Sequence, residues 1–424
     1  MSASPPIERS ERIFLLGLQR QALRYFLDNQ TPGGLIRDRQ ANQGPLMPRG
    51  WCSTAATGMG LIALSLAAAP PYRMLSRAEA VGRVRTALDA ALERIPADQG
   101  MMPHFLDSAT DEPRGHDVFS TVDSSWLLAG ALWAAAFLRD SALEEKAGRL
   151  YERADWLYWT DPENDERGLL RHGKGLDSRF LPIFWDRING ETVFMYVLGA
   201  GAAPERAVPP KAWSALTPYY GTVAGLRFNY ADLGLFTFEY GLDLLDLRRW
   251  RPPGPVDLAA EAVIATRANY LFCREQADRF ATYRRFWGVS NGDGPGDAPQ
   301  RDSYRARGPG KPIDGTAQIT DTLAAVANAP DEVLENLHRA DSDAELGLRG
   351  RYDFSPVNLD HGWVGQSTIG IDVGAAVLAV DNYLMADRVR RGFHALPCVA
   401  RGLERLGFTP VETVAPALSV TDEP

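Results

Sequence analysis

Cysteine is scarce: Cys52, Cys273 and Cys398 are the only three in 424 residues, an odd number with no CxxC and no Cys/His spacing. That excludes a disulfide framework and a zinc cluster, and reduced thiols are expected. The six histidines, at positions 104, 116, 172, 338, 361 and 394, share no ligand spacing, so a metal site is not supported. Basic clusters interleaved with aromatics are absent, and 45 Lys+Arg against 54 Asp+Glu leave a net charge of −9. Neither a nucleic-acid backbone nor an anionic membrane suits such a chain, and a small or neutral ligand does. Long apolar runs are missing too. Residues 1–30 carry Glu8, Arg9, Glu11, Arg12 and Arg20, which predicts no signal peptide and a cytoplasmic location. The longest apolar stretches, 55–69 and 127–138, fall short of the roughly 20 residues of a membrane helix and read as buried helices. No GxGxxG follows a β run, and GxSxG, HExxH, Walker and DxDxDG patterns are absent, so no cofactor is expected.

What the chain does have is helical periodicity. Over 8–29 the positions Ile13, Phe14, Leu16, Leu18, Ala22, Tyr25 and Phe26 recur at three- and four-residue intervals between charged residues, which predicts an amphipathic helix stopped by Pro32, Gly33 and Gly34. Further helices are expected at 53–69, at 76–95 with Ser76 and Glu79 in capping-box spacing, at 120–139, and at 141–159 starting from Ser141 and Glu144. The same reasoning gives 191–201, 230–248, 257–280, 316–327, 331–338, 371–391 and 398–406, about twelve helices in all. Strand-like alternation is scarce. Short and long loops alternate, which suits an all-α ring of helical hairpins with its long loops at one mouth. No linker divides the chain, so one domain is expected over 1–424, with short tails at 1–7 and 410–424. The Gly-, Pro- and Asp-rich segment 287–311 reads as a functional loop.

Four loop-to-helix junctions concentrate acids and aromatics. Trp51 stands before a helix of small residues, where its ring could stack on the C–H face of a sugar or simply serve the core. Asp123 falls at the third position of a markedly apolar helix if Ser120 is the cap. It either completes that cap or points into the mouth as an acid or base, and Asp117 in the preceding loop is equally placed for the second task. Glu191 opens an apolar helix near Trp185 and Phe194, where desolvation would raise its pKa and the helix dipole would lower it. The fourth group combines Trp287, Ser290, Asn291 and Asp293 with His361, Trp363 and Gln366, a set rich in sugar-binding residue types.

Taken in order, GWCSTAATG, STVDSSW with LLAGAL, NGETVFMYVLGAG, FWGVSNGDGPG and HGWVGQSTIGIDVGAAVLAVDNY resemble the glucoamylase-like glycoside hydrolases typified by the bacterial endo-β-1,2-glucanases of glycoside hydrolase family 144. The likeness runs from about Phe14 to Tyr383. It implies an (α/α)6 toroid, a carbohydrate cleft at its mouth and an inverting hydrolysis of a glucan. It also implies Glu191 as the acid, Asp123 as the family's Val-Asp-Ser/Thr acid, and Asp293 as the acid of the family's Ser-Asp-Gly-Pro turn, which here reads Ser290-Asn291-Gly292-Asp293-Gly294-Pro295; Asp123 or Asp117 is the expected base. Trp51, Trp185, Trp287 and Trp363 become candidate sugar platforms. Transglycosylation or exo-type release on the same fold, or a carbohydrate-binding module with a decayed site, stay open at this point.

Overall fold

The computed structural model describes residues 7–175, 177–296 and 303–411. Among them are thirteen α-helices: α1 (Arg9–Asn29), α2 (Thr54–Ala67), α3 (Arg77–Glu93), α4 (Thr121–Leu138), α5 (Ser141–Glu152), α6 (Gly190–Ala200), α7 (Lys211–Ala215), α8 (Leu258–Glu275), α9 (Ile319–Ala324), α10 (Pro330–Ser342), α11 (Gly370–Leu384), α12 (Arg388–His394) and α13 (Pro397–Arg405).

Two kinds of helix follow from two kinds of sequence. In α2, α6 and α11, small and aliphatic residues occupy every side, and nearly every residue is buried. Such helices need neighbours all round. In α1, α5, α10 and α13 charged residues alternate with apolar ones, and one face alone is buried. The packing matches. The buried set forms a closed cycle, α2 on α4, α4 on α6, α6 on the 3₁₀ turn Leu235–Phe238, that turn on α9, α9 on α11 and α11 back on α2. Amphipathic helices back it: α1 lies on α2 and α11, α5 on α4, α8 on the 3₁₀ turn, α10 on α9 and α13 on α6. One connected set of buried apolar residues extends from Leu15 to Phe408. α4 has the length and composition of a membrane span, but 78% of it is buried inside the protein, as in a core helix.

The tightest contact in the cycle is made by glycine. A methyl group on Gly58 would lie 2.1 Å from the Trp126 carbonyl oxygen, and one on Gly130 would lie 2.0 Å from the Gly58 carbonyl oxygen. The two backbones therefore touch, and nothing flexible can yield. Gly130→Ala is expected to cost about 3 kcal/mol or more of stability through overpacking, read as a lowered denaturation midpoint in urea.

Three expectations need correction. Residues 230–248 form a short 3₁₀ helix and turns rather than an α-helix, because Gly241 takes φ +83 with its Cα pressed against Gly190, a left-handed conformation that a right-handed helix cannot continue. The helix foreseen over 371–391 breaks at Ala386 and Asp387, both at positive φ, and restarts as α12. That foreseen over 141–159 stops at Glu152, and its cap is Asp140, whose carboxylate accepts from the Leu143 N–H. Short strands also occur between the helices: Trp51–Ser53, Pro103–Asp107, Pro113–Ser120 and Gly173–Gly175 pair in that order, all antiparallel.

Candidate active site

The strands explain where the chemistry collects. Strand Trp51–Ser53 runs into α2, strand Pro113–Ser120 into α4, and strand Ser367–Ile369, paired with Arg39–Ala41, into α11. Ser53, Ser120 and Asn189 cap α2, α4 and α6 by accepting from the Ala56, Asp123 and Thr192 N–H groups. Four helices of the cycle carry an acid in the first turn: Asp123 on α4, Glu191 on α6, Asp321 on α9 and Asp372 on α11. By the order of the cycle they fall into two pairs, separated by α2 on one side and by the 3₁₀ turn on the other.

In the first pair, burial raises the Glu191 carboxyl to about 7, the charge of Asp123 adds to the rise, and the Trp126 indole beside it works in the other direction. Desolvation and a like charge thus set the direction of the shift. Asp123 accepts from the Ser120 hydroxyl at 2.5 Å and lies 3.5 Å from Nε2 of His104, whose ring stacks on Phe105.

In the second pair, burial lifts Asp321 to about 7, with the Ser290 hydroxyl opposing. Asp372 is driven well above the carboxylate range by burial and then by Asp321, while the Tyr240 hydroxyl donates to it at 2.8 Å. Two such groups hold one proton between them more readily than none. Asp293, Gln318 and Asp353 share a pocket with this pair. Asp293 is 2% exposed, and Nη1 of Arg39 donates to both of its oxygens, at 3.0 and 3.3 Å. Nε of Arg39 reaches Asp38 at 3.4 Å. Asp353, also lifted by burial to about 7, accepts from the Thr368 hydroxyl at 2.6 Å.

The residues foreseen from sequence are distributed unevenly. Asp117 pairs with Gly175 in its strand, and its side chain lies outside the described residues. Trp51 is 45% exposed, with its ring 5.5 Å from Phe105, on the sheet that feeds α2 and α4. Trp185 donates to the Thr121 hydroxyl at the start of α4, and one face of its ring is stacked on His172. Trp287 is not brought to the acids. It is buried beside Tyr270 of α8, donating its indole N–H to the Glu332 carbonyl oxygen of α10. Asn291 accepts from the Arg307 backbone and so holds its loop. His361 ends an exposed 3₁₀ turn, Trp363 is buried in a two-residue strand, and Gln366 is exposed with its amide turned back to the Val364 carbonyl oxygen. Asp321, Asp372, Arg39, His104 and Tyr240 were not foreseen. An acid in the first turn of an apolar helix, the signal that picked out Asp123 and Glu191, also marks Asp321 and Asp372.

A family model described as "Putative glucoamylase" matches residues 183–397, just over half of the chain. The chain belongs to that glucoamylase family. Glu191, Asp293, Asp321 and Asp372 lie inside the matched segment, and Asp123, Arg39 and His104 before it. Among solved structures, the chain is similar to a "putative glucoamylase" from Bacteroides uniformis (TM-score 0.81, 21% identity, covering 96% of this chain and 99% of that one). It is equally similar in fold to the endo-β-1,2-glucanase of Chitinophaga pinensis in complex with sophorotriose and glucose (TM-score 0.81, 18% identity, covering 95% and 99%). The β-1,2-glucanase of Parabacteroides distasonis follows at TM-score 0.78 and 18% identity, covering 96% of this chain and 61% of that one. These likenesses establish a shared helical fold. No curated protein matches the chain.

Proposed function

We propose that this member of the glucoamylase family is a glycoside hydrolase acting on a glucan, with β-1,2-linked chains as the preferred substrate, in a single (α/α)6 toroid. The closed cycle of buried helices with amphipathic helices behind it supports the toroid. The observation that carries the chemistry is Glu191, a carboxyl held protonated up to about pH 7 beside a second acid at the mouth of the cycle. Glu191 protonates the leaving glycosidic oxygen. The ionised member of the Asp321–Asp372 pair activates the attacking water from the other side of the ring, as inversion requires. Asp123 is the second candidate for the base, favoured by its electrostatic contact with Glu191. The linkage reading rests on the activity named for the Chitinophaga and Parabacteroides proteins.

Incubation with linear β-1,2-glucan, β-1,3-glucan and starch, followed by product sizing and anomer analysis, tests this. Shortened β-1,2-glucan with an inverted anomeric centre is expected. Products from starch alone would overturn the linkage, and no turnover of any of the three would overturn the hydrolase. Trp51 supplies an independent check. Because its ring is exposed, Trp51→Ala is expected to raise KM about tenfold or less, with the unfolding midpoint unchanged, through loss of stacking on the sugar.

A further inference from the structure

Segment 287–311, read from the sequence as a functional loop, folds back on itself beside the second pair of acids. The Gly292 and Arg305 backbones exchange hydrogen bonds at 3.0 and 3.1 Å, and those of Gly294 and Ser303 do so at 2.9 and 3.2 Å. Asp293 and Tyr304 therefore stand opposite one another between two bonded pairs, the position in an antiparallel ladder where facing side chains come closest and share one side. The register is fixed from behind. Arg307, 1% exposed, donates from Nη1 to the Gly292 carbonyl oxygen at 2.7 Å and from Nε and Nη2 to Asp314 at 3.0 and 2.8 Å. Gln318 donates to the Asp293 carbonyl oxygen at 2.6 Å.

Asp293 shares its pocket with Asp321 and Asp372, so the side of the hairpin that carries it faces that pair, and Tyr304 faces it too. Tyr304 nevertheless keeps 49% of its surface exposed. Burial, then the charges of Asp372, Asp321, Asp38 and Asp293, hold its phenol well above the usual range. A side chain set among four acids with half its surface open lines a concave mouth. Those acids offer a sugar hydrogen-bond acceptors but no flat apolar surface. Trp51 and Trp185 lie at the starts of α2 and α4, and Trp287 is sealed between α8 and α10, so none of the three serves this side.

We propose that Tyr304 is the substrate-binding aromatic on this side of the candidate active site, its ring stacked on the C–H face of the glucose unit that presents its anomeric carbon to the Asp321–Asp372 pair. Its hydroxyl adds a hydrogen bond to the same unit. The inference rests on the hydrolase reading of that site and assigns the residue that orients the sugar toward the attacking water.

Two assays on the full chain test it: steady-state kinetics on whichever of linear β-1,2-glucan, β-1,3-glucan and starch the wild type hydrolyses, and calorimetric titration of the matching trisaccharide, sophorotriose for the first, into protein carrying Glu191→Gln. Tyr304→Ala is expected to raise KM and weaken trisaccharide binding by about tenfold or more. The unfolding midpoint stays unchanged, because the ring is half exposed. Tyr304→Phe keeps the ring and loses one hydrogen bond, so a loss of only about threefold is expected in both assays. Wild-type KM and affinity in Tyr304→Ala would overturn the assignment while leaving the hydrolase reading intact. Equal losses in the Ala and Phe variants would overturn the stacking, and a wild type that neither hydrolyses nor binds any of the three glucans would overturn the hydrolase reading and this inference together.

Discussion

Under the proposed mechanism Glu191→Gln is expected to lower kcat on a glucan substrate by about 10²- to 10⁴-fold, the range over which general acids contribute, while KM changes little. The amide keeps the shape of the side chain in the first turn of α6 but has no proton to give to the leaving oxygen. The pH profile carries the same expectation in a second form. With its carboxyl raised to about 7, Glu191 is protonated below that pH and ionised above it, so turnover falls as pH rises through about 7. Asp123 is one of the two causes of that elevation. Asp123→Asn therefore moves the alkaline limb to lower pH, because removing a like charge lets Glu191 ionise more easily. Steady-state rates from pH 4.5 to 9 in the wild type and both variants decide the matter. Undiminished turnover in Glu191→Gln would remove the acid from the scheme.

The second large effect is on stability. Burial lifts Glu191, Asp243, Asp321 and Asp353 to about 7, and Glu239 and Asp372 well above their usual values. In the unfolded chain such groups titrate near 4. Between those limits the folded protein binds more protons than the unfolded one, so the stability contributed by Glu191, Asp243, Asp321 and Asp353 is complete below about pH 4 and is lost as pH rises through about 7, and Glu239 and Asp372 act in the same direction. His394 works the other way as a single group, being kept neutral by burial down to about 4. Asp314 and Asp387, lowered by their arginine partners, withdraw their share of stability only in stronger acid. The unfolding free energy is accordingly expected to fall by on the order of 5 kcal/mol from pH 5 to pH 8. Urea titrations across that interval would show it, and a flat or rising profile would contradict it.

Much of the fold was legible because its signals are local. Ser76 and Glu79 form the capping box their spacing announced, Ser120 caps α4, and α2 and α6 lie within a residue or two of their expected limits. Residues 230–248 misled because their apolar spacing is helical, whereas one left-handed glycine set against Gly190 decides the backbone. The site was legible only in part. Asp321 and Asp372 carry the same local signal as Asp123 and Glu191, an acid in the first turn of an apolar helix, but that signal does not say which such acids the fold brings together. Asp293 gave no hint of Arg39, its partner 254 residues away in sequence. Trp51 and Trp287 both adjoin glycines, yet Trp287 is sealed between α8 and α10 and Trp51 stands in the open. Only distant neighbours separate the two.

The cycle is sealed by its extremities in sequence. Arg12 and Gln19 of α1 donate to the Leu384 and Val377 carbonyl oxygens of α11, and strand Arg39–Ala41 pairs with Ser367–Ile369. A chain emerging from the ribosome makes α1, α2 and α4 early, yet more than 300 residues separate α1 from the partner that covers it. Until α11 arrives, the apolar flanks of α2 stay uncovered. Folding is therefore weighted toward late, long-range steps, and the nascent protein carries a prolonged exposure to aggregation that a chaperone would shorten.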